Sequence, residues 1–141
     1  MITNSGSNGV DDHSRRGISA KDMHYFNQAV KVAGNSQCRY SHGSIIRRGK
    51  SILATACNKI KTHPVQRRYG SHVCSIHAEA ATLIKARTNV TGTICYSARV
   101  RPDGTLAISK PCASCWDLLV ESGIRWVIYF DGNKIVREKV F

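Results

Sequence analysis

The stretch "IRWVIYFDGNKIVREKV", residues 124–140, decides how the sheet of this protein ends. Residues 124–130 form a dense apolar run, which is typical of a strand buried on both faces. Residues 134–140 alternate apolar and polar side chains, as a half-buried strand does. The segment Asp131-Gly132-Asn133 favours a hairpin turn and is far too short for a parallel crossover, which needs about a dozen residues. We therefore expect the last two strands to be antiparallel neighbours.

Upstream segments alternate between helix and strand patterns. A first helix is predicted near 20–33, with Ser19 as N-cap, Asp22 as the partner in a short capping box and Gly34 as the stop. Its apolar face is expected to contain Met23, Phe26, Ala29, Val30 and Ala33. Residues 43–57 predict two strands around a turn at 48–50.

The remaining segments complete the pattern. A second helix is predicted at 78–87, a strand at 91–100, and a third helix from Pro111 or Cys112 to just before Gly123. The order is helix, two strands, helix, strand, helix, two strands. It predicts an α/β protein with one mixed sheet and helices packed on its faces.

Length and composition favour a single soluble domain. The 141 residues suffice for one core, so we divide the chain into a flexible polar tail, 1–17, and one domain, 18–141. No apolar run approaches the roughly 18 residues that span a membrane, and the N-terminus lacks the apolar core of a secretory signal. We expect a cytoplasmic protein, in which cysteines bind metal or pack rather than form disulfides. Cys38, Cys57 and Cys95 are interpreted as core thiols.

Positive charge is concentrated in the middle of the chain. The net charge is +12, and Glu79 is the only acidic residue between Met23 and Pro102, where thirteen lysines and arginines lie. Such a surface either only keeps the protein soluble or attracts anions such as nucleotide phosphates or a polynucleotide. We favour an anionic ligand, because a lone carboxylate among so many cations indicates a specific task.

Two short motifs predict a metal centre. "CSIHAEAATL", 74–83, places His77 two residues before Glu79, and "KPCASCWDLL", 110–119, places Cys112 and Cys115 in the first turn of a helix. Two thiolates at i and i+3 and one imidazole are three ligands for Zn²⁺, which leaves a fourth position for water, as in catalytic sites. Zinc lowers the pKa of such a water, and Glu79 is placed to move its proton. Either motif alone is a weak signal, since a Cys-x-x-Cys pair can also be a redox pair.

Together, "HAEAATLI" and "KPCASCWDLLVESGIRWVIY" resemble the two motif blocks of the cytidine/deoxycytidylate deaminase superfamily, from about Ser19 to the C-terminus. The resemblance implies His77, Cys112 and Cys115 as zinc ligands and Glu79 as the proton shuttle. It implies a three-layer α/β/α sandwich around a five-stranded mixed sheet. It further implies Asn58 and Ala78 as substrate contacts, and a dimer or tetramer of identical chains.

The expected function is that of a zinc-dependent hydrolytic deaminase, which converts a cytosine nucleoside or nucleotide to the uracil form and releases ammonia. The C-terminal hairpin supports this choice, since within the superfamily it resembles cytidine deaminases. A basic loop could hold a 5′-phosphate through Lys59, Lys61, Arg67 and Arg68. Solvation of that loop is an equally good explanation.

Other functions remain open. An enzyme that edits RNA or single-stranded DNA, on cytosine or adenine, would use the net charge and the basic pairs 15–16, 47–48 and 67–68. Its weakness is an aromatic content of 7%, with no basic strip interleaved with stacking side chains.

A non-enzymatic zinc module that binds nucleic acid is a third possibility. Lys110, directly before Pro111 and Cys112, stands where many members of the resembled family have Ser or Thr. Three further residues, His63, His72 and Cys74, could contribute to a second zinc site.

Overall fold

A computed structural model describes residues 15–58, 77–86 and 88–140. In chain order the elements are β1 (Arg15–Arg16), α1 (Ala20–Ala33), β2 (Ser41–Arg48), β3 (Ser51–Cys57), α2 (Ala78–Ala86), β4 (Ile94–Val100), β5 (Leu106–Ala107), α3 (Ala113–Ser122), β6 (Trp126–Phe130) and β7 (Ile135–Lys139). The predicted helices and long strands are confirmed, with bounds that differ by a few residues.

The strands form one mixed sheet in the order β1-β7-β6-β4-β2-β3, with β5 paired to β4 beside this path. Strands β4 and β6 are parallel, and the other pairs are antiparallel. The five long strands are those expected from the sequence, and β1 and β5 are two-residue additions. The hairpin of β6 and β7 is confirmed, with Trp126 opposite Lys139 and Phe130 opposite Ile135.

Successive side chains of the central strands enter two separate apolar layers, because the side chains of a strand alternate between its faces. On one face, Ile45, Tyr96 and Ile128 pack with Phe26 and Ala29 of α1. On the other face, their chain neighbours pack with Leu119 of α3; these neighbours are Ile46, Cys95 and Val127. Residues of α2 lie between β3 and α3 on this second face. The predicted α/β/α sandwich is therefore confirmed.

Helix α1 begins as predicted and buries Phe26, Ala29 and Ala33 as expected, but Asp22 takes the place predicted for Met23. The Ser19 hydroxyl accepts the backbone N–H of Asp22 at 3.1 Å, which confirms the N-cap. Met23, expected in the core, is 37% exposed, whereas Asp22 is 1% exposed. The Asp22 carboxylate accepts the Tyr96 hydroxyl at 2.7 Å and lies 3.3 Å from the Arg47 guanidinium. The Ser19 half of the expected capping box is therefore confirmed, whereas the Asp22 carboxylate contacts Tyr96 and cations of the facing strands, which make its burial favourable.

The first described strand lies inside the predicted tail. Arg15 pairs with Glu138 and Arg16 with Arg137, antiparallel to β7. The reason is that β7 would otherwise be an edge strand with free backbone groups, which a short extended segment satisfies. The first 14 residues of the predicted tail lie outside the described residues. Among described residues, no helix is long and apolar enough to cross a membrane.

Candidate active site

The structure brings His77, Cys112 and Cys115 together on the face of the sheet covered by α2 and α3. The Nδ1 atom of His77 lies 3.3 Å from the Cys115 sulfur and 3.4 Å from the Cys112 sulfur. All three donor atoms lie within 4.8 Å of one another. Within residues 15–58, 77–86 and 88–140, this is the only such group of His, Cys, Asp and Glu donors.

These three residues fit zinc in both chemistry and spacing. Typical Zn–N and Zn–S bonds in a tetrahedron imply an N···S separation of about 3.6 Å. The observed separations of 3.3 and 3.4 Å need only a few tenths of an ångström of expansion. One imidazole nitrogen and two sulfurs form a donor set that Zn²⁺ prefers, and they leave one tetrahedral position for a further ligand.

The local structure prepares one sulfur to be a thiolate. The pKa of Cys112 is lowered to about 3, chiefly by the hydrogen bond from Cys115 and also by the one with His77, despite its partial burial. The same hydrogen bond and burial raise the pKa of Cys115. A divalent cation would bind both sulfurs as thiolates, so metal binding would release the proton that remains on Cys115.

The start of α3 is anchored by the segment that precedes it. Cys112 is the N-cap residue, and its carbonyl accepts the N–H of Trp116 at 2.7 Å. Just upstream, Ser109 forms two hydrogen bonds with the backbone of Phe130 in β6. Its N–H donates to the Phe130 carbonyl, and its hydroxyl accepts the Phe130 N–H, both at 2.9 Å. The Ser109 hydroxyl also donates to the Ser97 carbonyl of β4 at 2.7 Å. Two neighbouring strands thus hold the cysteine segment in place.

Glu79 lies in the first turn of α2 and is buried. Its Oε2 atom accepts the Ser97 hydroxyl at 3.0 Å and lies 3.3 Å from Nε2 of His42. Its Oε1 atom is also buried and has no hydrogen-bond partner in the part of the chain that the structure describes. A buried carboxylate oxygen without a partner is costly, so its retention points to a ligand or a reacting group.

Electrostatics keep Glu79 ionised. Burial by itself would raise the pKa of this carboxyl, but the charge and hydrogen bond of His42, then the backbone N–H of Glu79 itself and the charge of His77, lower it to about 2. The Glu79 charge in turn helps to raise the pKa values of His77 and Cys115, so the carboxylate lies close to the metal ligands. Near neutral pH it is therefore ionised, which is the state that a proton acceptor requires.

Three polar residues of the site were not predicted from the sequence. His42 and Ser97 contact Glu79, and Ser109 holds the cysteine segment. All three are buried, and His42 and Ser97 lie on adjacent strands. Their signal in the sequence is weak: each is a polar residue inside or beside a strand pattern, which is equally typical of a solvated position. Only the pairing of β2 with β4 shows that they meet.

Asn58 lies near this group, but its amide bonds to the backbone of His42 and Tyr40 and accepts the Ser36 hydroxyl. Its Oδ1 accepts the N–H of His42 at 3.0 Å, and its Nδ2 donates to the carbonyl of Tyr40 at 3.0 Å. One amide hydrogen is left for another acceptor. Contact with a substrate sugar stays a prediction for Asn58, as does substrate contact for Ala78, which is buried between His77 and Glu79 at the start of α2.

Several predicted basic or ligating residues lie outside the described residues: Lys59, Lys61, Arg67 and Arg68 of the phosphate loop, and His63, His72 and Cys74 of the second zinc site. Lys110, in contrast, is described. Its Nζ lies 3.7 Å from Glu138 and 5.3 Å from the ring centre of Trp116.

Comparisons with known proteins identify the family. A family described as "cytidine and deoxycytidylate deaminase zinc-binding region" matches residues 19–131. No curated protein matched the chain in a separate comparison.

Among solved structures, the dCMP deaminase of cyanophage S-TIM5 is similar, with a TM-score of 0.56 and 20% identity over 78% of this chain and 82% of that one. Its complex with dCMP and dUMP has a TM-score of 0.54 and 18% identity over 79% and 82%. The cytidine deaminase of Burkholderia pseudomallei has a TM-score of 0.57 and 14% identity over 87% and 94%. At these identities the structures show a shared fold.

The family match extends over most of the chain and includes His77, Cys112 and Cys115, so the expectation of zinc as cofactor is confirmed. The chain belongs to the cytidine and deoxycytidylate deaminase family.

Proposed function

We propose that this protein is a hydrolytic deaminase that converts the cytosine of a nucleoside or nucleotide to uracil, with consumption of water and release of ammonia. The observation that carries the proposal is the buried Oε1 atom of Glu79, which has no hydrogen-bond partner in the described chain and belongs to a carboxylate beside three zinc-type donors. A carboxylate that is not a zinc ligand serves as general acid and base in zinc deaminases.

The proposed proton path uses this chain's own carboxylate. Ionised Glu79 accepts a proton from the attacking water as the C–O bond forms and delivers it to N3 of the pyrimidine ring. It then moves the proton of the new hydroxyl to the amino group, so that the C–N bond breaks, ammonia leaves and the carbonyl of uracil forms. When bound, zinc supplies a water that is acidic enough to act as the nucleophile near neutral pH. His77, Cys112 and Cys115 are the residues that would hold it.

A cation on the site face of β4 favours a phosphorylated substrate. Arg99 is exposed and lies two residues beyond Ser97, so both side chains leave the same face of the strand. The pKa of His77 is raised, chiefly by its hydrogen bond with Cys112, while the charge of Arg99 acts in the opposite direction. Arg99 is also opposite His42 in the pairing of β4 with β2, so a 5′-phosphate of a bound substrate could meet its guanidinium on this face. The structure of the cyanophage dCMP deaminase with dCMP and dUMP is consistent with a nucleotide substrate.

The nucleic-acid alternative loses part of its support. Arg47, counted among the basic pairs, is buried and pairs with Asp22 at 3.3 Å. Arg48 donates to the carbonyl oxygens of Asn89 and Thr91 at 2.8 and 3.2 Å. Binding of a polynucleotide would therefore need other cations, and we keep a small substrate as the proposal.

A substrate panel with zinc-loaded protein tests this function. Ammonia release is measured with cytidine, deoxycytidine, CMP, dCMP, dCTP and short oligonucleotides. The parent protein should act on a monomeric cytosine substrate, and Glu79→Gln should lose on the order of 100- to 10,000-fold in kcat while it retains zinc. Asp117→Asn, an exposed carboxylate on α3, is the matched control and should keep full activity. Activity on oligonucleotides alone, or on no base, would overturn the proposal.

A further inference from the structure

The Glu79 carboxylate is held by only one of its two oxygens. We propose that His42 and Ser97 are positioning residues that fix Oε2 of Glu79 and thereby reserve Oε1 for proton transfer. This inference rests on the proposed deaminase function for its chemistry, but its geometric part stands on contacts among three buried residues. The Ser97 hydroxyl and Nε2 of His42 lie 3.0 and 3.3 Å from Oε2, and 2.8 Å from each other.

Counting hydrogens assigns the donors in this group. An ionised carboxylate only accepts, so the atoms around Oε2 must donate to it. The single hydroxyl hydrogen of Ser97 has two acceptors, Oε2 of Glu79 at 3.0 Å and the carbonyl of Ser109 at 2.8 Å. When it is directed to Ser109, the other donor beside Oε2 is an N–H at Nε2 of His42, which has two acceptors of its own, the Ser97 oxygen at 2.8 Å and Oε2 at 3.3 Å. An unprotonated Nε2 would place a lone pair against the carboxylate, so we infer an Nε2–H in every state of the group.

Both donors are fixed on the sheet, whereas the carboxylate is on a helix. The backbone N–H of His42 donates to Oδ1 of Asn58 at 3.0 Å, and its carbonyl accepts the N–H of Asn58 at 2.9 Å. Ser97 is opposite Ser44 in the pairing of β4 with β2, so His42 and Ser97 occupy neighbouring positions of one face. The sheet therefore sets where Oε2 lies, and the planar carboxyl group then sets where Oε1 lies.

This arrangement differs from a merely structural buried pair. A structural role requires that both carboxylate oxygens be satisfied, because an unpaired buried polar atom is destabilising. Here the Ser97 hydroxyl and Nε2 of His42 both lie against Oε2, at 3.0 and 3.3 Å, and Oε1 has no hydrogen-bond partner among the described residues. The asymmetry is what a proton shuttle needs, since the working oxygen must be free and its position must be constant.

The test compares two substitutions of His42 whose side-chain amides place an N–H at different positions. The amide of His42→Gln reaches the position of Nε2, whereas the shorter amide of His42→Asn reaches that of Nδ1. Ser97→Ala removes the second donor, and Ser51→Ala, an exposed serine of β3, is the control. For each variant we would measure zinc per chain, Tm, and kcat and KM on a substrate of the panel. In the parent protein, long-range ¹H–¹⁵N NMR of the imidazole would assign the protonated nitrogens of His42.

We expect His42→Asn and Ser97→Ala to lower kcat on the order of 10- to 100-fold, with zinc content unchanged and KM within about threefold of the parent. His42→Gln should recover most of kcat, and Nε2 should be protonated. The inference is overturned if His42→Gln is as slow as His42→Asn, if the losses follow zinc content or KM instead, or if NMR shows an unprotonated Nε2. A parent without activity on the whole panel would count against the proposed function, and the NMR result would still decide the geometry.

Discussion

The sulfur of Cys115 lies 3.3 Å from Nδ1 of His77, although 38 positions separate the two residues in the chain. The distance results from two helices that begin side by side, since His77 immediately precedes α2 and Cys112 caps α3. Removal of one sulfur should therefore remove the metal, because two remaining protein ligands hold Zn²⁺ poorly.

Cys115→Ser is expected to reduce bound zinc from about one ion per chain to a small fraction of that, as elemental analysis of purified protein would show. Cys38→Ser is the matched control, because Cys38 is partly exposed and does not belong to the donor group. Equal zinc contents in the two variants would contradict the assignment of Cys115 as a ligand.

Arg99 should distinguish phosphorylated from unphosphorylated substrates. If its guanidinium binds a 5′-phosphate, Arg99→Gln should raise KM for CMP or dCMP on the order of 10-fold, the cost of a charge-assisted hydrogen bond, and leave KM for cytidine or deoxycytidine unchanged. Steady-state kinetics on matched nucleoside and nucleotide pairs measure this. Arg48→Gln, which removes contacts to loop carbonyls instead, is the control. A uniform change for both substrate types would exclude phosphate binding by Arg99.

The buried carboxylate of Asp22 should stabilise the fold by compensating Arg47. Asp22→Asn keeps the size of the side chain and the backbone N–H that Ser19 caps, but leaves the buried guanidinium without its counter-charge. We expect the free energy of unfolding in urea to fall by about 3 kcal/mol. Asp117→Asn, exposed on α3, should change it by no more than about 0.5 kcal/mol. Similar values for the two variants would show that the pair contributes nothing.

Tyr96 should make the protein less stable at alkaline pH. Burial, and then its hydrogen bond to Asp22, raise the pKa of its hydroxyl, with Arg47 acting in the opposite direction. The folded protein keeps this proton at pH values where the unfolded chain releases it. The stabilisation is therefore complete below the usual tyrosine pKa of about 10 and is lost as pH rises above it.

Urea unfolding between about pH 8 and 11 checks this dependence. In Tyr96→Phe the fall of the unfolding free energy above about pH 10 should be shallower, while stability at neutral pH drops by about 1–2 kcal/mol because a buried hydrogen bond is lost. Tyr40→Phe, at a half-exposed position, should follow the parent. Parallel curves for the parent and Tyr96→Phe would assign the alkaline loss to other groups.

Gly43 should be required for the approach of α1 to β2. A Cβ atom at this position would overlap the carbonyl oxygen of Ala29 and the backbone nitrogen of Ala33. Because both are backbone atoms of a packed helix, they cannot move aside cheaply, and Gly43→Ala should cost about 1–3 kcal/mol in urea unfolding. Gly17→Ala, where an added Cβ meets nothing within 4 Å, is the control. A stability of Gly43→Ala equal to that of the control would show that the helix can shift.

Residues close together in the chain determined much of what could be predicted. Ser19 predicted the start of α1, and the segment 131–133 predicted the antiparallel β6 and β7, because capping and turn preferences act over a few residues. The two zinc motifs were equally readable, since ligand spacing within one turn of a helix is a local property. These features together indicated the family and the α/β/α order of layers.

Only the tertiary structure decided which polar residues are buried and which residues they pair with. Periodicity placed Met23 in the core and gave no sign that Asp22 and Arg47 would be buried, but an ion pair between α1 and β2 buries both. His42 and Ser97 reach Glu79 only through the register of β2 with β4. Hydrophobic patterns and spacings are encoded locally, whereas the stability of a buried charge depends on partners far away in the chain. The contact between a buried charge and its partner therefore follows from the packed fold and not from either segment by itself.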